Sequence, residues 1–548
     1  LFEEAGYAYP DGRDRFDGLL FVTSAGRDGK DDPWEEGATG TALIGGGWYG
    51  AVAMGDGLWK LAQDTADMSA VWNGGTLMLK RACEYILKAP DPVIPVRAGI
   101  SWSEPLEIER FAEPVFDLIA VDLEGDGQVG LFVLSSGGDR FFQYDEGAGR
   151  FSDRGARIGL QSASRHATWT DLSGDGALDL ASWNGKALRI FSWEEGRLFE
   201  RPQAPQLDGR DHELLNGLSS FRMPNAPRSS LLVSRSGETP LVLQLDDRGT
   251  WEQRPLVDGA PDTGDLGDAH ACLVADFTGD GRVDVLQPFE KGGLLYRGDG
   301  VDGFGAPEKV GQPYSMPGPV RSVAGDLTQN GLLDVVFFAP KGVEVWSNRG
   351  QGRFEQAFSR TGEASYTVRP GVIGGSVGDF NGNGLTDMLV LYQAAPLHLY
   401  FNRGFGTFGW FGAPFEADFG QDVLPDSMWG QQAGLLEDLT GDGAVELALV
   451  LEDGTLTVTG RDTDRTPPLA LRISLPPDMP QPLTVEASTP YRSLGARTLA
   501  AGRAYAYFAR HEPGPLVLTW RDADGNERSR KVNLGGLIRL GLPGGMAP

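Results

Sequence analysis

A repeat of about fifty residues is the feature that most constrains the fold of this chain. Six segments share one pattern, in which an Asp opens a short loop rich in Gly and in acidic or amide residues, and a β-rich run follows. The loops begin at Asp122, Asp171, Asp276, Asp326, Asp379 and Asp438. After the first five, a glycine turn ends in Phe 28 or 29 residues later, at Phe151, Phe199, Phe304, Phe354 and Phe408. Such constant spacing predicts an array of equivalent structural units.

The gap between Asp171 and Asp276 is about two repeats long. Inside it, the segment LDDRGTW ends at Trp251 with the same glycine-then-aromatic turn. The stretch 28 residues earlier, around Met223, keeps a hydrophobic strand but has no acidic loop. The pattern therefore predicts seven units, of which the third is degenerate.

Each unit has the pattern of four short strands. An apolar stretch precedes the loop, a β-rich run follows it, a third strand leads to the glycine turn, and a more variable strand comes last. Four strands in a unit of about fifty residues are typical of a propeller blade, whereas helical repeats lack such strands. The predicted fold class is all-β, a seven-bladed β-propeller, with eight blades left open.

The pattern divides the chain into three regions. Residues 1–100 form an irregular Gly/Trp-rich segment, for which an eighth partial blade, the strand that closes the ring and a partner contact are all left open. Residues 101–466 are the predicted propeller. A proline-rich boundary follows, and the alternating text of residues 467–548, with a hairpin-like Asp-Gly-Asn turn, predicts a small C-terminal β-sandwich.

Charge and composition narrow the functional classes. The formal net charge of −28 argues against a nucleic-acid partner, because phosphate binding needs Lys and Arg surfaces. No apolar run reaches 18 residues, so the sequence predicts no transmembrane helix. The two cysteines, Cys83 and Cys272, exclude a disulfide framework and leave one disulfide or two free thiols as alternatives.

The loops place oxygen donors at alternate positions. In the loop that opens at Asp276, the side chains at positions 1, 3, 5 and 9 and the carbonyl at position 7 point toward one centre, and Gly281 at position 6 permits the sharp turn. The first loop keeps three acidic residues but has Gly130 at position 9, which predicts a weak or water-completed site. The candidate ligands are Asp122, Glu124 and Asp126; Asp171, Ser173, Asp175, Ala177 and Asp179; Asp276, Thr278, Asp280, Arg282 and Asp284; Asp326, Thr328, Asn330, Leu332 and Asp334; Asp379, Asn381, Asn383, Leu385 and Asp387; and Asp438, Thr440, Asp442, Ala444 and Glu446.

Oxygen ligands with several carboxylates suit a hard cation, and they favour Ca²⁺ over the smaller, geometrically stricter Mg²⁺. An EF-hand is excluded, since it needs flanking helices and a Glu at position 12. Asp and Asn are also common in plain turns, but carboxylates at the same alternate positions in five loops favour ion binding. We therefore expect about five Ca²⁺ sites and a weak sixth.

The loop pattern, with its aromatic strand and its glycine-rich close ending in Phe, resembles the FG-GAP/VCBS repeats of integrin-α-like calcium-binding propellers. The literal text FGAP occurs at 304–307 and 411–414, and the resemblance covers about residues 100–465. It implies a calcium-binding propeller of the kind used for adhesion, ligand capture and assembly outside the cytoplasm. The same repeats also occur in secreted lectins and some lyases.

A channel site is a second candidate. His166, His270 and Arg321 precede their loops by five or six residues, in first strands that line the centre of a propeller. They are either a metal or anion site or ordinary channel residues, and the lack of a fixed His spacing favours the second interpretation. The sequence has no motif for haem, a zinc protease, an esterase or a phosphate loop.

The leading functional prediction is a non-catalytic binding, assembly or adhesion module outside the cytoplasm, whether periplasmic, cell-surface or secreted. Its partner would be a protein or a glycan, within a larger complex, and an exposed patch near Trp410, Phe411 and Trp429 or the N-terminal segment would contact it. The alternative is a lectin or a polysaccharide-degrading enzyme that uses the propeller funnel. A third reading is a metal-dependent oxidoreductase at the histidines. The sequence favours the absence of enzymatic activity without deciding it.

Overall fold

The protein is described here by a computed structural model. The structure describes the backbone of four strands within residues 20–63 and most of residues 103–542. The segments of the latter range that fall outside the description are 104, 208, 225, 260–262, 264–265, 302, 312–320, 341, 362–370, 394, 396, 403–407, 412–429, 461–468, 475–481, 491–492, 500–504, 511–512 and 523–524.

The four N-terminal strands form an antiparallel meander in chain order. They are β1 (Leu20–Thr23), β2 (Thr39–Ile44), β3 (Gly47–Ala53) and β4 (Trp59–Gln63).

Seven further four-stranded antiparallel sheets are the blades, numbered here in chain order. Blade 1 contains β6 (Val115–Val121), β7 (Gly130–Ser135), β8 (Arg140–Asp145) and β9 (Arg150–Asp153). Blade 2 contains β10 (His166–Thr170), β11 (Asp179–Trp183), β12 (Leu188–Glu194) and β13 (Arg197–Glu200). Blade 3 contains β14 (Leu215–Phe221), β15 (Ser230–Arg235), β16 (Leu241–Leu245) and β17 (Trp251–Pro255), preceded by helix α1 (Gly209–Leu214). Blade 4 contains β18 (Leu273–Ala275), β19 (Asp284–Phe289), β20 (Gly292–Tyr296) and β21 (Glu308–Val310).

The remaining blades follow the same plan. Blade 5 contains β22 (Arg321–Gly325), β23 (Asp334–Ala339), β24 (Gly342–Asn348) and β25 (Phe354–Thr361). Blade 6 contains β26 (Val372–Gly378), β27 (Asp387–Tyr392), β28 (His398–Asn402) and β29 (Phe408–Phe411). Blade 7 contains β30 (Gln431–Glu437), β31 (Glu446–Leu451), β32 (Thr455–Thr459) and the earlier strand β5 (Leu106–Arg110).

The ring closes with seven blades. The first strands contact one another in the order β6, β10, β14, β18, β22, β26 and β30, and β30 in turn contacts β6. Strand β5 pairs antiparallel with β32 and becomes the outermost strand of blade 7. The prediction of an all-β propeller is therefore confirmed. The ring-closing strand lies just after residue 100, and no eighth blade separates β30 from β6.

The second strand of each blade is almost completely buried. All six residues of β23 and of β27 are buried, and their runs of Val, Leu, Met and Phe lack the alternation of a half-exposed strand. Such a pattern is expected where both faces of a strand are covered, here by the neighbouring blades. Aromatic side chains fill the space between blades; Trp346 of blade 5, for example, is 1% exposed and packs edge-on against Phe337 with ring centroids 4.6 Å apart.

Blade 3 forms a complete sheet despite its lost acidic loop. Strand β14 pairs with β15 through six residue pairs, with one register shift near its start. Met223 is buried in the core that blade 3 shares with blade 4, and Trp251 opens the fourth strand. The packing between blades therefore maintains this sheet without an acidic loop.

The C-terminal region has two sheets that share one apolar core, as predicted for a sandwich. Its strands are β33 (Leu469–Ser474), β34 (Leu483–Ser488), β35 (Ser493–Leu499), β36 (Tyr505–Arg510), β37 (Gly514–Arg521), β38 (Glu527–Leu534) and β39 (Ile538–Gly541). One sheet has the order β36-β33-β39, with β33 and β39 parallel, and the other has the order β35-β34-β37-β38. Strand β35 contacts β22 of the propeller, so the sandwich is docked against the ring.

Replacing Trp346 by Ala tests the packing between blades. The buried indole leaves a cavity, and we expect the free energy of unfolding to fall by about 3–5 kcal/mol. Thermal or urea unfolding measures the change. The control is Phe199→Ala, because the Phe199 side chain is half exposed; we expect it to change stability by about 0.5 kcal/mol or less. Equal losses in the two variants would contradict this account of the core.

Candidate metal sites in the blade loops

The six predicted loops occupy equivalent places in six blades. Each joins the first strand of its blade to the second, and position 9 is the first residue of the second strand. The loops therefore lie at the same face of the ring, which we call the loop face. The residues at position 9 are Gly130, Asp179, Asp284, Asp334, Asp387 and Glu446.

The carboxylate at position 9 fastens the loop. In blade 4, Asp284 Oδ2 accepts the backbone N–H groups of Phe277 and Thr278, both at 3.0 Å, and Oδ1 accepts that of Gly298 at 3.0 Å. Asp334 and Asp387 make the same three kinds of contact, and Asp179 and Glu446 accept the two loop N–H groups. One buried side chain thus joins the loop to the second strand.

Positions 1 and 5 shape the turn from within. Asp276 accepts the N–H of Gly281 on Oδ2 and that of Gly279 on Oδ1, each at 2.7 Å. Asp280 Oδ1 accepts the N–H of Arg282 at 2.9 Å. The same bond from position 7 to position 5 occurs in the other five loops, with donors Gln128, Ala177, Leu332, Leu385 and Ala444 and acceptors Asp126, Asp175, Asn330, Asn383 and Asp442.

Position 3 carries a short polar side chain close to the acids. The Thr328 and Thr440 hydroxyl groups donate to the position-9 carboxylates at 3.2 Å, while Ser173 and Thr278 approach the position-1 carboxylates at 3.5 and 3.4 Å. Asn381 accepts the N–H of Asn383 at 3.0 Å. In the first loop Glu124 is exposed instead. Short hydrogen bonds thus link the predicted ligand residues within most loops, whereas the Glu124 side chain is exposed to solvent.

Blade 7 has the tightest group of acids. Ligand oxygens of Asp438, Asp442 and Glu446 all lie within 4.8 Å of one another, which occurs for no other acidic, His or Cys trio in the described part of the chain. Asp438 is 2% exposed, and its Oδ2 has no hydrogen-bond donor among the described residues, although buried Arg472 places Nη1 3.8 Å away. In blade 1, Asp122 Oδ1 is likewise buried without a described donor. Buried carboxylate oxygens that lack donors, within an all-oxygen set, fit a hard divalent cation.

The first loop differs at position 9 for a steric reason. A Cβ on Gly130 would lie 2.2 Å from the ring of Phe141, so the aromatic ring occupies the place of the missing side chain. Blade 1 therefore has no room for the carboxylate that fastens the other loops.

Burial governs the titration of these groups. It raises the pKa of Asp284 to about 7, with a smaller upward contribution from the charges of Asp276 and Asp280. Burial also raises the pKa values of Asp171, Asp179, Asp276, Asp326, Asp334, Asp387, Asp438 and Glu446. The loops therefore resist holding several negative charges without a cation.

A cation from blade 3 stands beside the loop of blade 2. Arg222 Nη1 lies 4.0 Å from Asp171 Oδ2, and both side chains are mostly buried. The sequence predicted only a degenerate repeat in this stretch, and Arg222, next to Met223, is the residue that could have indicated the contact.

The channel residues come together only in part. Arg321 of blade 5 donates to Asp117 of blade 1 at 2.6 Å, and because these blades are not neighbours the pair spans the channel. His166 stacks on Trp183, lies near both charges and has its pKa lowered by burial. His270 lies elsewhere, beside acidic residues 268 and 290. Asp117 was missed, although it precedes Asp122 by the same five residues that separate His166 and Arg321 from their own loops.

Three other predictions can be placed only in part. Cys272 is a free, buried thiol whose pKa burial raises to about 12, while Cys83 lies outside the described residues. Trp410 and Phe411 belong to β29 without described side chains, and Trp429 lies outside the description. No helix among the described residues is long and apolar enough to cross a membrane.

The raised pKa of Asp284 gives a pH-dependent prediction. Its folded pKa of about 7 exceeds the ordinary value of 3.8, so the folded protein holds this proton across a window in which the unfolded chain has lost it. The group stabilises the fold below about pH 4 and loses that contribution as pH rises toward 7. In chelator, the melting temperature of the native protein minus that of Asp284→Asn should therefore fall from pH 4 to pH 7. Asp247→Asn, at a site where the side chain is 95% exposed, is the control and should give a constant difference. A rising difference for Asp284→Asn would contradict the assignment.

Comparison with known proteins agrees with this architecture. Residues 326–390, which span the loop of blade 5 and reach into blade 6, match the family described as FG-GAP-like repeat. No curated protein matches the chain. Solved structures that resemble it include BBS1N in complex with ARL6DN, at 12% identity, covering 66% of this chain and 97% of that one with a TM-score of 0.42.

Two other solved structures are similar to a comparable degree. An Agrocybe aegerita lectin, described as recognising non-reducing terminal N-acetylglucosamine, is 18% identical, with 59% and 92% coverage and a TM-score of 0.40. A Staphylococcus aureus virginiamycin B lyase with quinupristin is 10% identical, with 66% and 99% coverage and a TM-score of 0.39. The sheet order of the blades establishes the fold independently of these likenesses. The resemblance read from the loops is confirmed: the chain carries an FG-GAP-like repeat within a seven-bladed β-propeller.

Proposed function

We propose that the chain is a calcium-stabilised propeller that acts as a non-catalytic binding or assembly module outside the cytoplasm. The observation that carries the proposal is the acidic trio of blade 7, in which buried Asp438 Oδ2 has no donor among the described residues. The same donor pattern recurs in blades 2, 4, 5 and 6, and blade 1 keeps part of it. Repetition of one oxygen-rich loop around a ring is expected of a fold that uses ions to hold its blades.

Ca²⁺ would be held by the side chains at positions 1, 3, 5 and 9 and the carbonyl at position 7. When bound, it would offset the negative charge of these buried carboxylates. Since the ion binds the folded loops and not the unfolded chain, it stabilises the fold by linkage. Free calcium is abundant outside the cytosol, which is the basis for the proposed location.

Binding is favoured over catalysis because the charged channel residues already engage one another. Arg321 is paired with Asp117, and His166 stacks on Trp183. The C-terminal sandwich is docked against the ring on the loop face, where Ala496 donates to Asp326. The opposite face, which bears the channel mouth near Asp117, is therefore the proposed surface for a protein or glycan partner.

Calcium titration of the chelated protein tests the proposal. We expect several bound ions per chain by calorimetry and a higher melting temperature, with about 2.7 kcal/mol of stabilisation for each site at 100 times its Kd. Magnesium at equal concentration should have a smaller effect. No binding heat, together with an unchanged melting temperature, would end the proposal.

Asp280→Ala removes one ligand without disturbing a buried group, because this side chain is 45% exposed. We expect the site of blade 4 to be lost or weakened at least tenfold, and the calcium-induced rise in melting temperature to shrink. Asp247→Ala is the matched control, since Asp247 lies outside the loops and is almost fully exposed. If the two variants bind calcium alike, blade 4 holds no ion.

A further inference from the structure

The C-terminal sandwich lies directly on five consecutive loops. In each loop, a side-chain or carbonyl atom of the sandwich lies close to a glycine. The distance from that atom to the position that a Cβ on the glycine would occupy is 2.5–3.4 Å. The contacts are Arg521 at Gly281 of blade 4, Glu486 at Gly331 of blade 5, Ala509 at Gly384 of blade 6, Arg472 at Gly441 of blade 7 and Tyr505 at Gly127 of blade 1. Glycine at these positions permits the close approach.

In blade 1, a sandwich hydroxyl reaches the first carboxylate of the loop. Tyr505 Oη donates to Asp122 Oδ2 at 2.5 Å, the oxygen that also accepts the Gly127 N–H at 2.9 Å. The other oxygen, Oδ1, stays buried without a donor among the described residues. We call the oxygen that the sandwich engages, Oδ2, the outer oxygen; Oδ1 remains available to an ion.

In blade 5 the sandwich provides a backbone donor, and Asp326 Oδ1 also accepts the Asn330 N–H at 3.2 Å. The Ala496 N–H donates to Asp326 Oδ2 at 2.9 Å, and this oxygen also accepts the Gly331 N–H at 2.9 Å. Asp326 is fully buried. Two blades that are not neighbours thus present the outer oxygen of the same loop position to the sandwich.

In blade 7, the sandwich provides a cation. Arg472 is 1% exposed and places Nη1 3.8 Å from Asp438 Oδ2. Its Nη2 donates to the Gly127 carbonyl of blade 1 at 3.0 Å, and its guanidinium lies over the Tyr505 ring, 4.2 Å from the centroid. One arginine therefore links the loops of blades 7 and 1.

Docking encloses more negative charge than the sandwich compensates. The covered loops of blades 5, 6 and 7 contain six buried carboxylates, namely Asp326, Asp334, Asp379, Asp387, Asp438 and Glu446. Arg472 lies against Asp438, and Arg497 acts on Asp326. Two guanidinium groups do not balance six ionised carboxylates, so the ionised form of these buried acids is costly unless cations enter the loops.

We propose that the C-terminal sandwich completes the ion sites of blades 1 and 5 from outside, through Tyr505 and the Ala496 N–H, so that divalent-ion binding and docking strengthen each other. The proposal rests on the calcium function proposed above. Donors on the outer oxygen orient the carboxylate that faces the ion, as second-shell partners do in metal sites generally. By linkage, if docking of the sandwich increases the affinity of the loops for the ion, the bound ion stabilises docking by the same free energy.

Hydrogen exchange of the Ala496 amide in the full chain tests the coupling, because this N–H is a docking contact. We expect its exchange to be at least tenfold slower with calcium than with chelator. The Leu518 amide, in the core sheet of the sandwich, should change less. Equal exchange at Ala496 with and without calcium, while calcium still raises the melting temperature, would overturn the coupling and leave the calcium function standing. If calcium does not bind at all, both proposals fail.

A pair of matched variants locates the effect. Asp326→Asn should remove the calcium-dependent protection of Ala496, whereas Asp171→Asn should retain it, because the loop of blade 2 lies against Pro227 and Arg228 of blade 3. Should Asp326→Asn fail to fold, Tyr505→Phe is the second variant, and it should reduce the protection relative to Tyr144→Phe, a control in blade 1. Equal protection in Tyr505→Phe and Tyr144→Phe would contradict the role of the hydroxyl.

Discussion

A carboxylate buried at the start of the second strand is the interaction on which the loop face of the ring depends. In five blades it accepts the N–H groups of the loop before it, and in three of them it also accepts an N–H at the end of the third strand. Burying such a group costs free energy unless its oxygens are satisfied, so the loop must fold tightly around it. The loop then carries its other oxygen donors toward one point. Loop geometry and the clustering of the loop's oxygen donors are therefore two results of a single buried acid.

Two blades show what replaces this acid when it is lost. In blade 1, Gly130 opens a space that the Phe141 ring fills, and the sandwich adds the Tyr505 hydroxyl at the front of the loop. Blade 3 has no acidic loop, and its Arg222 lies beside Asp171 in the loop of blade 2. Both sheets persist, because their second strands remain packed between neighbouring blades. The acid thus determines the loop, whereas apolar packing maintains the blade.

The sequence predicted what is periodic and missed what is not. The strands, the seven units and the loop residues recur at fixed intervals, and each depends on neighbours close in the chain, so spacing alone reveals them. The contact of Tyr505 with Asp122 joins residues 383 apart, and that of Arg321 with Asp117 joins residues 204 apart. Such contacts leave no periodic signal. The contacts of Arg472 could not be predicted for the same reason, since nothing in the sequence near this strand residue indicates its partners in the blade loops.

The joint between the last and first blades has a consequence for how the molecule is assembled. The sheet of blade 7 stays incomplete until β32 pairs with β5, and the paired residues Thr455 and Arg110 are 345 positions apart (455 − 110). Closing so long a loop is slow. Arg472 of the sandwich also connects blades 7 and 1, through Asp438 and the Gly127 carbonyl. During synthesis the ring therefore cannot close until blade 7 has been made. The sandwich, which follows blade 7 in the chain, then stabilises the contact between blades 7 and 1.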